Sequence, residues 1–149
     1  MTEKELQQHV KKHLADPVRH PMLLPNEFCF KKTECPIMLR GQRIGSIDYV
    51  ANFFDDTLAI EAKGPHGFSS FWSASKVLTY CTVYNNIHRR YSLMEPAILL
   101  PEETINDDIV YFGNLSHVYV FSYYWNDDAG LPAIRFHKYH NGIQIGAPV

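Results

Sequence analysis

Residues 45–63, GSIDYVANFFDDTLAIEAK, decide the fold. The stretch belongs to two runs of β-prone residues, 44–54 and 57–63, separated by the acidic pair Asp55 and Asp56. A short polar break between two such runs is typical of a β-hairpin. The sequence therefore predicts an antiparallel hairpin whose turn is formed by Asp55 and Asp56.

This hairpin gathers three charged side chains on one face. With the predicted turn, Asp48 lies opposite Lys63, and Val50 lies opposite Glu61. Opposed residues share a face of the sheet, as do residues two apart along one strand. Asp48, Glu61 and Lys63 therefore converge. The other face is apolar and is predicted to face the core, through Ile47, Tyr49, Ala51, Leu58, Ile60 and Ala62.

Two carboxylates beside an amine suit metal-assisted cleavage of a phosphodiester bond. Mg²⁺ prefers oxygen ligands and is bound through one or two carboxylates together with waters and substrate phosphates. We expect Asp48 and Glu61 to supply the carboxylates and the backbone carbonyl of Ala62 to add another oxygen. Lys63 would orient the attacking water and stabilise the developing charge. The plainer alternative is a cross-strand ion pair between Asp48 and Lys63, worth about 0.2–1 kcal/mol.

Helical and extended patterns surround the hairpin. Residues 2–16 predict a helix, because Thr2 and Glu5 have capping-box spacing and apolar positions recur at helical intervals. A second helix is predicted from about residue 69 to 90. Further strands are predicted at residues 27–33, 37–40, 97–100, 118–121 and 134–138. The order α-β-β-β-α-β with extra C-terminal strands predicts an α/β or α+β fold, with a mixed sheet flanked by helices.

Length and composition limit the class of protein. The chain has 149 residues, 46% hydrophobic and 20% charged, which predicts one globular domain over residues 1–149. It has neither the roughly 20-residue apolar stretch of a membrane span nor an apolar leader. We therefore expect a soluble, cytoplasmic protein. Its three cysteines form no CxxC pair and are predicted to be buried free thiols.

The net charge of −2 conceals two unlike parts. Residues 1–90 carry 12 Lys and Arg against 9 Asp and Glu, whereas residues 91–149 carry 2 against 7. The positive balance therefore covers the segment that contains Asp48, Glu61 and Lys63. A basic balance there is compatible with contact to nucleic acid, although charge asymmetry is commonly just solvated surface.

The segments GSID (residues 45–48) and AIEAK (residues 59–63) resemble the core motif of the PD-(D/E)xK, restriction-endonuclease-like nucleases. The resemblance covers about residues 3–100 and includes the element order of the superfamily core. It implies an endonuclease or exonuclease, most simply of DNA, that depends on Mg²⁺ or Mn²⁺. Asp48 and Glu61 would be the metal ligands and Lys63 the catalytic amine. Ile47 stands where the motif name has proline.

Weaker resemblances add three residues to the predicted site. Many members of the superfamily carry a glutamate on the first helix that points toward the metal, which implies this role for Glu3. RecB-like and archaeal resolvase-like members place a Gln and a Tyr one turn apart on the helix after the lysine. Lys76 and Tyr80 stand at these places and would contact DNA phosphate or the attacking water. His66 is a further candidate for nucleic-acid contact at the mouth of the cleft.

Two other functions stay open. The chain can be a catalytically inactive module of this fold that binds nucleic acid or a protein partner. It can also be an interaction protein that works through its aromatic C-terminal part. Aromatic residues concentrate at interface centres, so this part predicts a homodimer. The residues concerned are Tyr111, Phe112, Tyr119, Phe121, Tyr123, Tyr124 and Trp125.

Overall fold

The computed structural model describes residues 1–64, 70–87, 93–140 and 143–145. A short 3₁₀ turn, Glu102–Thr104, lies between β4 and α3. The helices and strands of these ranges follow in the order α1 (Glu3–Ala15), β1 (Phe28–Leu39), β2 (Gln42–Phe53), β3 (Asp56–Ala62), α2 (Ser70–Ile87), β4 (Met94–Pro101), α3 (Asp107–Leu115), β5 (Tyr119–Asn126), β6 (Leu131–His140) and β7 (Ile143–Ile145).

The strands lie side by side in sequence order. β1, β2 and β3 pair antiparallel, whereas β3, β4 and β5 pair parallel. The parallel pairs need crossovers, which α2 and α3 provide. β6 pairs antiparallel with β5, and the three-residue β7 pairs antiparallel with β6 at the end of the order. The protein is therefore α+β with a mixed sheet flanked by helices, as the sequence predicted.

Helices cover both faces of the sheet. On one face α1 buries Leu6 and Val10 against the strands. On the other face α2 contributes Val77 and Cys81. Cover on both sides explains why β3 and β4 are buried at consecutive positions rather than at every second one.

The hairpin turn lies one residue earlier than predicted. Phe53 pairs with Asp56, so Phe54 and Asp55 form the turn. The backbone N–H of Phe54 donates to the Glu27 carbonyl at 3.0 Å, a contact from outside the hairpin that holds this turn. The predicted pairing of Val50 with Glu61 is therefore wrong, because Val50 pairs with Ala59.

The shift in register leaves the charged face together. A two-residue shift keeps every side chain on its side of the sheet. Asp48 directly precedes Tyr49, the terminal β2 residue of the ladder, whose partner is Ile60, so Asp48 lies next to Glu61 rather than opposite Lys63. The predicted apolar face holds except for Ile47, which joins the core under α2. Ile47 lies beyond the β2–β3 ladder, so the alternation within that ladder does not govern it.

Three other elements correct or complete the prediction. α1 is confirmed, with Thr2 Oγ1 accepting from the Glu5 N–H at 3.1 Å. The two strands predicted at 27–33 and 37–40 form one strand, β1, an edge strand that tolerates Pro36. α3 was not predicted, although Asn106 caps it by accepting from the Ile109 N–H at 2.9 Å.

Two further predictions concern the cysteines and a membrane span. All three cysteines are free thiols, and Cys35 and Cys81 are buried, but Cys29 is exposed, so the prediction of burial fails there. Within the described ranges, no helix combines the length and apolar character needed to cross a membrane.

Candidate active site

Asp48 and Glu61 lie next to each other at the carboxyl end of β3. Asp48 Oδ2 accepts a hydrogen bond from the Ala62 backbone N–H at 2.9 Å. Glu61 is buried, with 1% of its surface exposed. Burial and the adjacent Glu61 charge raise the pKa of Asp48 to about 7. Two carboxylates so placed repel each other in a poorly solvated environment, and a bound cation relieves that repulsion.

The two oxygens of Glu61 have different surroundings. Oε1 lies 2.9 Å from Lys76 Nζ and 3.4 Å from Lys63 Nζ. Oε2 is buried and has no hydrogen-bond partner among the described residues. A protonated Asp48 carboxyl forms a hydrogen bond with Glu61, and a cation at this position would take the place of that proton. We call Asp48, Glu61, Lys63 and Lys76 the carboxylate site.

Lys63 is held from both sides of its backbone. Its N–H donates to the Leu99 carbonyl on β4 at 3.1 Å. Its carbonyl accepts from the Tyr123 hydroxyl on β5 at 2.8 Å. The side chain is a quarter exposed and turns its ammonium toward Glu61. The backbone therefore positions Lys63 between the carboxylates and solvent.

Lys76 and Tyr80 reach the same place from α2. The hydrogen bond to Glu61 raises the pKa of Lys76, and its ammonium lies 5.6 Å from the centre of the Tyr80 ring. Tyr80 in turn fills the space over Gly45, where a Cβ atom would come within 2.5 Å of the ring. The glycine thus lets α2 approach β2 closely enough to deliver Lys76.

The remaining predicted residues have different outcomes. Glu3 lies at this edge, because its Oε2 is 3.5 Å from the point where a Cβ on Gly64 would lie. The N–H of Ala62 points toward Asp48, and the carbonyl of a strand residue points to the same side as its N–H, so it too faces the site. His66 lies outside the described residues.

The contact between Lys76 and Glu61 was missed from the sequence. A signal for it exists, since Lys76 is the one charged residue in the α2 sequence. Glu61 lies two residues after Ala59, which packs under α2. A buried glutamate on that face needs a counter-charge, and α2 has one to offer.

The donor set fits a hard divalent cation. Within the described ranges, no three His, Cys, Asp or Glu side chains surround a common point. Mg²⁺ needs no such cluster, because it keeps several waters and uses one or two protein carboxylates. Asp48 and Oε2 of Glu61 are the carboxylate oxygens here that could hold such an ion.

Comparison with known proteins returns no relative. No protein-family model, no curated protein and no solved structure matches this chain. The chemistry of the carboxylate site is therefore inferred from its own residues, and the resemblance to PD-(D/E)xK nucleases stays a prediction.

Proposed function

We propose that the protein is a metal-dependent nuclease of the PD-(D/E)xK type that hydrolyses phosphodiester bonds in DNA. The carrying observation is the adjacent pair Asp48 and Glu61, with a buried, unpartnered Glu61 oxygen and the Lys63 ammonium 3.4 Å from its other oxygen. The order α1-β1-β2-β3-α2-β4, which is that of a restriction-endonuclease-like core, supports the same proposal.

Each residue has a distinct role in this proposal. Asp48 and Glu61 would hold Mg²⁺ or Mn²⁺, with the Ala62 carbonyl as a further ligand and Glu3 beside them. The cation, when bound, polarises the phosphate and lowers the pKa of water. Lys63 donates a hydrogen bond to the attacking water and stabilises the negative charge that develops on the phosphate.

Lys76 has two roles in turn. Its bond to Glu61 Oε1 neutralises the buried carboxylate and leaves Oε2 available. Its side chain is 43% exposed, so it also faces the place where a substrate phosphate would approach. The neighbouring Tyr80 ring limits the directions in which the ammonium points.

The β1–β2 hairpin supports nucleic acid as the substrate. It extends past the last β2–β3 pair, Tyr49 with Ile60, on the side where Asp48 lies. Its tip, residues 38–44, is exposed throughout and has the sequence MLRGQRI, with Arg40 and Arg43 and no acidic residue. Arginines contact phosphate oxygens and supply affinity without reading sequence. We assign Arg40 and Arg43 to phosphate contacts.

An inactive module that binds nucleic acid or a protein partner is the alternative, and one observation favours it. Lys63 and Lys76 together already neutralise Glu61 without any cation. If that ion pair is the whole purpose of the site, Mn²⁺ at millimolar concentration will not bind.

The test is cleavage of supercoiled plasmid and of circular single-stranded DNA in Mg²⁺, Mn²⁺ or EDTA. We expect nicking that requires the cation and that is lost in Asp48→Asn, a change that preserves size. The matched control is Asp128→Asn, in the exposed β5–β6 turn, which should cleave as the wild type does. Equal behaviour of all three proteins overturns the assignment.

A further inference from the structure

A cleft of about 520 Å³ opens where the central strands begin, at the opposite end of these strands from the carboxylate site. Its walls come from the starts of β3, β4 and β5, from the end of β6, and from α3. The carboxylate site lies where β3 ends, so the two places are a strand length apart. Small-molecule sites typically measure about 300–1,000 Å³. We call this place the aromatic cleft and define it by Phe53, Phe54, Asp56, Glu95, Tyr119 and Phe136.

Four aromatic rings form one side of the cleft. The Phe53 ring centre lies 4.8 Å from that of Phe54 and 5.0 Å from that of Phe136. The Tyr119 ring lies 6.0 Å from that of Phe136. The ring planes meet at angles of 45° to 64°, so this wall presents both faces and edges of aromatic rings to a molecule in the cleft.

Phe54 is held in an unfavourable state at the cleft rim. Its side chain is 63% exposed, and its φ of 51° lies in the left-handed region. A bulky residue rarely adopts that region, and such strain is concentrated at functional places. The strained turn presents the Phe54 ring to the cleft rather than to the core.

Two carboxylates face these rings without a neutralising partner. Asp56 accepts a hydrogen bond from the Tyr119 hydroxyl, and neither Asp56 nor Glu95 forms a salt bridge with a described residue. Burial, followed by the bond to Asp56, raises the pKa of Tyr119 to about 12, so its hydroxyl remains a donor. Lys138, His117 and His137 also line the cleft.

We propose that the aromatic cleft binds a small organic cation, an amine or guanidinium joined to an aromatic or apolar body. The rings attract a cation over their faces, and the carboxylates accept charge-assisted hydrogen bonds from it. Asp56 and Glu95 repel an anion. A bare metal ion would gain little from the four rings. This proposal is independent of the proposed nuclease activity, because none of its residues belongs to the carboxylate site.

Three probes with one phenyl body and different charges test it: phenethylamine, 2-phenylethanol and phenylacetate. Each is titrated into the full chain and followed by amide shifts in ¹H–¹⁵N spectra. We expect phenethylamine to shift amides around Asp56, Glu95 and Tyr119. The alcohol should bind at least tenfold more weakly, and phenylacetate should cause no shift there. Equal binding of the amine and the alcohol, or no shift at the cleft with any probe, overturns the proposal.

Variants separate charge from shape. Glu95→Gln keeps the size of the side chain and should weaken phenethylamine binding at least fivefold. Its spectrum in the absence of ligand reports whether the fold is intact. Asp56→Asn should weaken binding similarly, whereas Asp128→Asn, far along the β5–β6 turn, should leave it unchanged. Unaltered binding in both Glu95→Gln and Asp56→Asn contradicts a cation site.

Discussion

The two ends of the central strands place acidic side chains in opposite surroundings. We call the end where β3 finishes the first edge and the end where β3 and β4 begin the second edge. At the end of β3, Asp48 and Glu61 are packed beside two lysines, and one glutamate oxygen has no partner among the described residues. At the start of β3 and β4, Asp56 and Glu95 face aromatic rings and form no described salt bridge. These surroundings are the reason we propose a small hard cation for the first edge and an organic cation for the second.

The largest expected effect separates chemistry from cation binding at the first edge. Lys63→Ala should lower the single-turnover rate of DNA cleavage by about 10²–10³-fold, because it removes the group that stabilises developing charge. It should leave Mn²⁺ affinity, measured by calorimetry, within a factor of a few of the wild type. Lys138→Ala, at the aromatic cleft, should leave the rate unchanged. A rate loss of equal size in Lys138→Ala would contradict the assignment of the chemistry to the carboxylate site.

The next effect uses acid to distinguish the edges. Burial, with the charge of Arg135, lowers the pKa of His137 to about 4, so the unfolded chain binds more protons between that value and the ordinary value of 6.5. The contribution of neutral His137 to stability is therefore lost as the pH falls below about 6.5. The pKa of Asp48 is raised from 3.8 to about 7, so its contribution is lost as the pH rises through that range. Each contribution changes by about 2 kcal/mol between pH 7 and pH 5.

Because the two contributions have opposite signs, variants reveal what the wild type conceals. Glutamine replaces His137 because it retains a group able to bond Ser122. In EDTA, His137→Gln should gain stability on moving from pH 7 to pH 5, because only the Asp48 contribution remains. Asp48→Asn should lose stability over the same range. Urea unfolding at the two pH values measures both. Parallel pH profiles in the two variants would contradict the assignment of opposite titrations.

A smaller effect concerns the neutralisation of Glu61. Lys76→Ala removes one of the two ion-pair partners of Glu61 and should destabilise the protein by about 1–3 kcal/mol in EDTA, because Oε1 loses a hydrogen bond. Mn²⁺ should raise the melting temperature of this variant more than that of the wild type, because the cation replaces the missing charge. Lys12→Ala, on the exposed side of α1, is the matched control. An identical Mn²⁺ response in all three proteins would mean that no cation reaches Glu61.

The smallest effect concerns the exposed hairpin tip beside the first edge. Replacing Arg40 and Arg43 together by alanine should weaken duplex DNA binding about tenfold at moderate salt, measured by fluorescence anisotropy with Ca²⁺ in place of Mg²⁺. The slope of log affinity against log salt should fall by about 1.8, since each lost phosphate contact removes about 0.9. Arg19→Ala serves as a control in an exposed loop. An unchanged slope in the double variant would exclude phosphate contacts at the tip.

Local patterns predicted much of the fold and of the first edge. β-propensity and the acidic break located the hairpin, and capping chemistry located α1. The turn itself was misplaced because Phe54 adopts a left-handed conformation that local preference disfavours and that a bond to Glu27, far along the chain, maintains. The aromatic cleft could not be predicted, because its rings come from β2, β5 and β6 and meet only through the sheet order.

The homodimer remains a prediction, and fewer aromatic side chains are exposed for it than the sequence suggested. Phe121 and Tyr123, which the sequence assigned to the aromatic C-terminal part, are buried in the core. Tyr111 and Trp125 are exposed, at 50% and 43%. Tyr111 lies on α3, which the sequence did not predict, and Trp125 lies next to the end of β5, so strand alternation could not separate the exposed rings from the buried ones.

The most direct test of the proposed metal site is where Mn²⁺ binds. Paramagnetic Mn²⁺ broadens amide signals near its site, and ¹H–¹⁵N spectra of the 17.2 kDa chain report every region at once. We expect broadening centred on Asp48, Ala62 and Lys63, abolished in Asp48→Asn, with Tyr119 at the aromatic cleft unaffected. Broadening centred on the aromatic cleft, or none at millimolar Mn²⁺, would contradict it.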